Sequence, residues 1–200
     1  MRYPAGYKEE RRKQLLKSSG ALIKNNGFAA TGVDALMAEA GVTSGAFYSN
    51  FASKNELLQA LVVSELCQSR AIWETNPHDS PQAWIDFEVD RYLSLPHVKC
   101  PSAGCVLPAL GAEIGRAAPD VKMLFEREQR KNIAILAERL GSEALAWAFT
   151  AQMVGTVLMA RAMPTKEAQL EVLGAGKTFL KAMIANHAGG PGVDNPGQPA

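Results

Sequence analysis

Apolar residues recur along this chain at the spacing of helices, and nowhere do they alternate at the two-residue period of a half-buried strand. From Val33, the positions Val33, Leu36, Met37 and Ala40 fall at i, i+3, i+4 and i+7 and line one helical face, with Asp34 and Glu39 pointing away. Thr31 or Gly32 can cap this helix, and Gly41 follows where the chain must turn through positive φ. A second short helix then starts at Thr43 or Ser44, with Val42 plugging back between the two helices and Phe47 and Phe51 anchoring inward. Thr43, Ser44, Ala46, Tyr48, Ser49 and Asn50 are left as a small polar surface. Short hydroxyls, an amide and a phenol on a helix suit a DNA major groove, which long side chains would hold off.

The same periodicity predicts helices on both sides of this pair. Tyr7 to Asn26 forms one, with Leu15, Ser19, Leu22, Ile23 and Asn26 on one face, Arg11, Arg12, Lys13 and Lys17 solvated, and Gly27 as its stop; Phe28 covers the core behind it. Ser53 followed by Glu56 reads as a capping box that starts a helix running to about Thr75, where Asn76-Pro77-His78-Asp79-Ser80-Pro81 breaks it. Further helices are predicted over Pro81 to Leu95, Gly104 to Gly115, Val121 to Leu140, Ser142 to Met163 and Thr165 to His187, with Pro96 to Ala103 as loop. The predicted fold is all-α: a three-helix helix-turn-helix head over residues 1–52 and a larger helical body over 53–188. Residues 189–200, GGPGVDNPGQPA, read as a disordered tail.

GVTSGAFYSNF, followed at once by ASKNELLQALV, resembles the DNA-binding signature of the TetR family of bacterial transcriptional regulators. The resemblance runs from about Arg11 to Val63. It implies that Thr31, Thr43, Tyr48 and Lys54 hold DNA phosphates, while Ser44, Ala46 and Asn50 face base edges, with Gly45 and Ser49 in the same surface. Ser44 and Asn50 depart from the bulkier or basic residue and the histidine common at those places, which implies a different operator. The family also implies double-stranded operator DNA and a small-molecule inducer as partners, and a homodimer built on the last two long helices.

That last implication agrees with the residues. Ser142–Met163 is apolar almost all round, so it must be covered on every side, and Thr165–His187 carries Leu170, Leu173, Phe179, Leu180, Met183 and Ile184. Such a pair can build a twofold four-helix interface, or it can simply fill the core of one chain. Two heads set about 34 Å apart would read a palindrome.

Composition changes the picture modestly. The net charge of +1 hides a basic head: residues 1–60 carry eight Lys or Arg against five acids, and the remainder carries thirteen against fifteen. Met1 to Gly6 leads into KEERRKQ and not an apolar run, Ala144 to Ala160 reads as a buried helix and not a membrane span, and three cysteines form no framework. A cytoplasmic protein without membrane contact is expected.

Candidate chemistry in the body is sparse. Cys100 and Cys105 admit three readings: zinc, with His97 nearby but no fourth ligand; a thiol switch, with Cys105 activated at a helix start; or small packing residues. Cys67 reads as packing. The family implies an inducer pocket, for which Trp73, Trp84, Phe87, Tyr92, Cys105, Phe125, Trp147, Phe149 and Met153 are candidates, and no cluster of arginines or histidines points to an anionic ligand. A hydrophobic or aromatic compound is expected there. No phosphate loop, Gly-x-Ser-x-Gly or His-Glu-x-x-His occurs, and Cys100/Cys105 lack the Cys-x-x-Cys spacing of thiol oxidoreductases. The expected function is a ligand-responsive repressor, with a thiol-sensing regulator as the alternative, no enzymatic activity, no metal and no cofactor.

Overall fold

The computed structural model describes residues 6–189, apart from the side chains of Tyr7, Ser44 and residues 186–189. Ten α-helices and one 3-10 turn make up this part, with no strand among the described residues. In order they are α1 (Tyr7–Asn26), α2 (Val33–Ala40), α3 (Ser44–Tyr48), α4 (Lys54–Glu74) and α5 (Pro81–Tyr92). They continue with α6 (Leu95–Lys99), the 3-10 turn Pro101–Ala103, α7 (Val106–Arg116), α8 (Pro119–Leu140), α9 (Glu143–Ala162) and α10 (Lys166–Gly189). Of the expected tail, Gly189 is the last residue of α10 and residues 190–200 lie outside the described residues.

Local chemistry accounts for the element ends. Ser53 accepts the Glu56 N–H at 3.0 Å, and the Glu56 carboxylate reaches back to the N–H of Ala52 at 2.6 Å, so the box that opens α4 closes one residue further out than its usual form. Gly41 takes φ +63°, the left-handed turn between α2 and α3. The predicted helix over Pro81–Leu95 is shorter than expected. It stops at Tyr92, and Pro96 instead sits in the first turn of a new helix, α6, where its missing N–H costs nothing.

Two apolar cores form. One holds Leu15 and Ile23 of α1, Leu36 and Met37 of α2, Phe47 of α3, Phe51, and Leu57, Leu58, Leu61, Val62 and Leu66 of α4. Val106, Leu110 and Ile114 of α7 and Val121 of α8 belong to it as well, so the apolar core does not divide at residue 53. Gly20 makes the α1–α4 approach possible: a Cβ there would stand 2.6 Å from Leu61 Cδ1. The second core gathers Trp84, Ile85 and Val89 of α5 with Ile133, Leu136 and Leu140 of α8. Phe149, Met153 and Val157 of α9 and Leu173, Leu180 and Ile184 of α10 complete it.

Helix α9 alone has the length and composition to cross a membrane among the described residues. It packs between α8 and α10, yet it is not covered on every side. Trp147, Leu158 and Met159 on α9, and Leu170 and Phe179 on α10, stay exposed in the single chain.

Candidate functional site

The polar surface of the α2–α3 hairpin rests on buried aromatics. Phe47 and Phe51 are fully buried with their rings 5.8 Å apart, and the Arg12 guanidinium covers Phe51 at 4.3 Å while bonding Glu56 at 3.2 Å. On that base Tyr48 stands 60% exposed, edge-on to Phe47 at 5.1 Å, with Thr43, Gly45 and Ser49 also exposed and Ala46 half-buried. The edge-to-face contact seats one side of the phenol on Phe47 and leaves the rest of the ring open to a partner. The Ser44 side chain lies outside the described residues.

Three predicted contact residues are placed otherwise. Thr31 is buried, and its hydroxyl donates to the Gly27 carbonyl at 2.6 Å, because the turn after α1 leaves that carbonyl open; it braces the turn and offers nothing to a phosphate. Asn50 is half-buried, its amide donating to the Ala46 carbonyl at 2.7 Å and to Ser49 Oγ at 3.2 Å, because it follows the last turn of α3 and folds back onto it. Its amide therefore does not face base edges. Lys54 donates to the Phe28 carbonyl at 2.5 Å and lies over the Phe28 ring at 4.4 Å, so it is shared between α4 and the turn that follows α1.

That turn is held from the body too. Glu113 of α7 accepts the Phe28 N–H at 2.8 Å and the Ala29 N–H at 2.6 Å. Lys24 at the end of α1 donates to Glu65 of α4 at 2.8 Å and to the Gly104 carbonyl at 3.1 Å. Sequence reasoning named neither Glu113 nor the Lys24–Glu65 pair. No local pattern pointed to either, because both contacts join segments far apart in the chain.

A cavity of about 540 Å³ opens where the two cores meet, bounded by α4, the end of α5, the segment 94–105, α8 and α9. Of the predicted lining residues, Trp73, Tyr92, Cys105, Phe149 and Met153 are there. Four are not. Trp84 is sealed in the body core under Arg139, Phe87 points out against His78, Phe125 packs on the head's core, and Trp147 is exposed with its N–H on Glu143. Helical periodicity marks an apolar face but cannot tell whether that face meets a cavity or a neighbour. The wall is also more polar than expected, with Glu65, Glu88, Arg91, His97, Gln129 and Asn132 on it.

The Cys100–Cys105 segment does not form a reactive thiol site at Cys105. Burial pushes the Cys105 thiol up from its ordinary pKa, against the lowering a switch needs, and the sulfur accepts the Leu107 N–H at 3.5 Å as a helix cap. His97 is occupied on both nitrogens, by the Tyr92 carbonyl at 2.7 Å and the Cys105 N–H at 3.0 Å, so it has no free lone pair for a metal. Burial also lowers its pKa and keeps it neutral. Cys67, expected to pack, is exposed on the outer face of α4.

Residues 15–61 match the model of the bacterial regulatory proteins of the tetR family, and this span covers α2 and α3 with the second half of α1 and the start of α4. The head of this chain is therefore similar to the DNA-binding segment of the tetR family. Over 129 residues it is 22% identical to the HTH-type transcriptional regulator UidR of Escherichia coli K12, a match covering 64% of each chain. The chain thus spans less than two thirds of the length of the curated relatives it matches. Among solved structures, a TetR regulator from Chloroflexus aurantiacus superposes with a TM-score of 0.71 at 24% identity, covering 89% of this chain and 96% of that one. The regulator FadR of Bacillus subtilis, solved with stearoyl-CoA, superposes at 0.68 and 15% identity, covering 85% and 97%. These likenesses establish a common all-α fold, an N-terminal helix-turn-helix with a helical body behind it.

Proposed function

We propose that this chain is a regulator of the TetR family, a ligand-responsive repressor that binds a palindromic operator as a homodimer and lets go when a small molecule fills the cavity. The observation that carries the reading is the exposed Thr43, Gly45, Tyr48 and Ser49 face on buried Phe47 and Phe51 in the helix-turn-helix head. Phosphates bind Thr43 and Tyr48, and the base edges meet Ser44, Ala46 and Ser49. One such helix contacts too few base pairs to be specific, so two heads are needed.

The exposed apolar residues of α9 and α10 supply a second-copy surface. Leu158, Met159, Leu170 and Phe179 lie on the two helices that pack as a pair, and a copy of that pair would cover them. Ligand release follows from the placement of the cavity. Its wall includes Glu65 on α4, the helix that begins at the head and carries Lys24's partner. A ligand that prefers one setting of α4 over another shifts the spacing of the two heads by that difference in affinity. FadR, with stearoyl-CoA, is a precedent within the fold for a bound small molecule. A cytoplasmic setting goes with operator binding.

The test is binding of the purified protein to the DNA upstream of its own gene, against a scrambled duplex, at low and high salt. Specific binding that survives the higher salt, with two protomers per duplex, is expected. Equal and salt-sensitive binding to both duplexes would reduce the head to a non-specific phosphate binder.

A further inference from the structure

Gly45 on α3 and Ser49 at its C-cap are the outermost points of the second hairpin helix. Each lies two residues from the fully buried Phe47, about 200° round the helix from it, and both are exposed. Glycine at 45 answers no need of the protein itself. It does not take a positive φ, and a Cβ added to it would find one neighbour within 4 Å, the Thr43 hydroxyl at 3.9 Å. Alanine would suit a helix better at the same place. The missing side chain therefore leaves room for a group from outside.

The same ridge offers no side chain that reads a base through paired hydrogen bonds. Residues 43–49 include no Arg, Lys, Asn or Gln. The Ser49 hydroxyl donates to the Ala46 carbonyl at 2.9 Å, and the Asn50 amide is spent on that carbonyl and on Ser49 Oγ. The Lys54 ammonium lies on the Phe28 carbonyl and ring. What faces outward is a place for one methyl group at Gly45, bordered by Thr43, with half-buried Ala46 next along the helix. Among the base edges of a major groove, the group of that size and character is the C5-methyl of thymine.

We propose that each head reads a thymine of its half-site by the C5-methyl group, which seats on the α3 backbone at Gly45. The inference rests on the reading of the hairpin as the operator-binding surface. Gly45 is then a specificity-determining residue, and its lack of a side chain is the feature that recognises. Cytosine would leave the place empty, and an alanine at 45 would fill it from the protein's side.

The test uses the full chain and the duplex that it selects from a random-sequence pool. The thymines of each half-site are replaced one at a time by uracil, which pairs alike and lacks only the methyl group. One thymine per half-site should prove sensitive. Binding should weaken about fourfold for one replacement and about fifteenfold for the symmetric pair, as expected for one and two buried methyl groups. Gly45→Ala should invert the preference: it should bind the thymine duplex at least about tenfold more weakly than the parent does, and the uracil duplex better than the thymine one. Its melting temperature should rise, because alanine is the better helix former, so unfolding cannot explain the lost affinity.

Equal affinity for thymine and uracil at every position, half-sites without thymine, or a thymine preference that Gly45→Ala keeps would each overturn the proposal. A lower melting temperature in Gly45→Ala would do the same, since the protein itself would then need the space. In all these cases specific binding of the selected duplex leaves the regulator reading intact. A pool that yields no preferred sequence refutes that reading, and this inference with it.

Discussion

The ammonium of Lys24 and the carboxylate of Glu65 meet at 2.8 Å with their side chains only 5% and 14% exposed. Lys24 ends the first helix of the head, and Glu65 lies on the wall of the cavity. The pair therefore joins the two places where DNA and ligand would act. Removing one member leaves a nearly buried charge without a partner, which costs about 3–5 kcal/mol.

Lys24→Met should lower unfolding stability by about that amount, measured by urea denaturation, and Lys24→Met with Glu65→Leu should recover a large part of it. If the single variant is as stable as the parent, the pair does not hold α1 to α4. The double variant should still bind DNA but respond less to a cavity ligand, because the wall no longer carries a group tied to the head.

Glu113 fastens the turn after α1 from the other side, through the N–H groups of Phe28 and Ala29. Bonds from backbone N–H groups to a carboxylate contribute about 1.5–3 kcal/mol each. Glu113→Ala should speed amide exchange at Phe28 and Ala29 by at least about tenfold while α9 and α10 keep their protection. Unchanged exchange at both amides would show that the turn is held without Glu113.

The order of the helices was legible from the chain because their apolar faces repeat cleanly and glycine, proline and capping serines mark their ends. Ser53 with Glu56, and Gly41, placed the hairpin almost to the residue. The site was less legible, for a physical reason. Whether Asn50 faces outward or folds onto the Ala46 carbonyl depends on the local turn, and whether Trp84 lines a cavity or fills a core depends on which helix lies opposite. The Glu113 and Lys24 contacts join residues 85 and 41 positions apart, beyond the reach of any local pattern. The apolar outer face of α9 was visible in the sequence as a helix needing cover all round. In the folded chain it keeps Leu158 and Met159 in the open.

Tyr48 and Asn50 are two residues apart and should behave differently. Tyr48 is exposed and has no hydrogen bond from its hydroxyl among the described residues, so Tyr48→Ala should change stability by no more than about 0.5 kcal/mol while abolishing operator binding. Asn50 is tied to its own helix, so Asn50→Ala should leave base preference unaltered, in contrast to the 1–3 kcal/mol per base pair expected of a direct reader. A base-substitution series on the operator, run on both variants, checks this. A loss of preference at one base pair in Asn50→Ala would mean that the amide swings outward on DNA.

The cysteines give the remaining test, of the thiol-sensing alternative. Burial raises the pKa of the Cys105 thiol, which leaves little thiolate at pH 7, whereas Cys67 and Cys100 are exposed. The thiolate is the species that attacks a disulfide reagent, so reactivity should divide two against one. With 5,5′-dithiobis(2-nitrobenzoate), the native protein should titrate Cys67 and Cys100 within minutes and Cys105 only on unfolding. Operator binding should be indifferent to diamide, in the parent and in Cys105→Ser alike. Three equally fast thiols, or loss of DNA binding under diamide that Cys105→Ser prevents, would restore Cys105 as a sensor. The helix cap it now forms with the Leu107 N–H would then have to open before it could react.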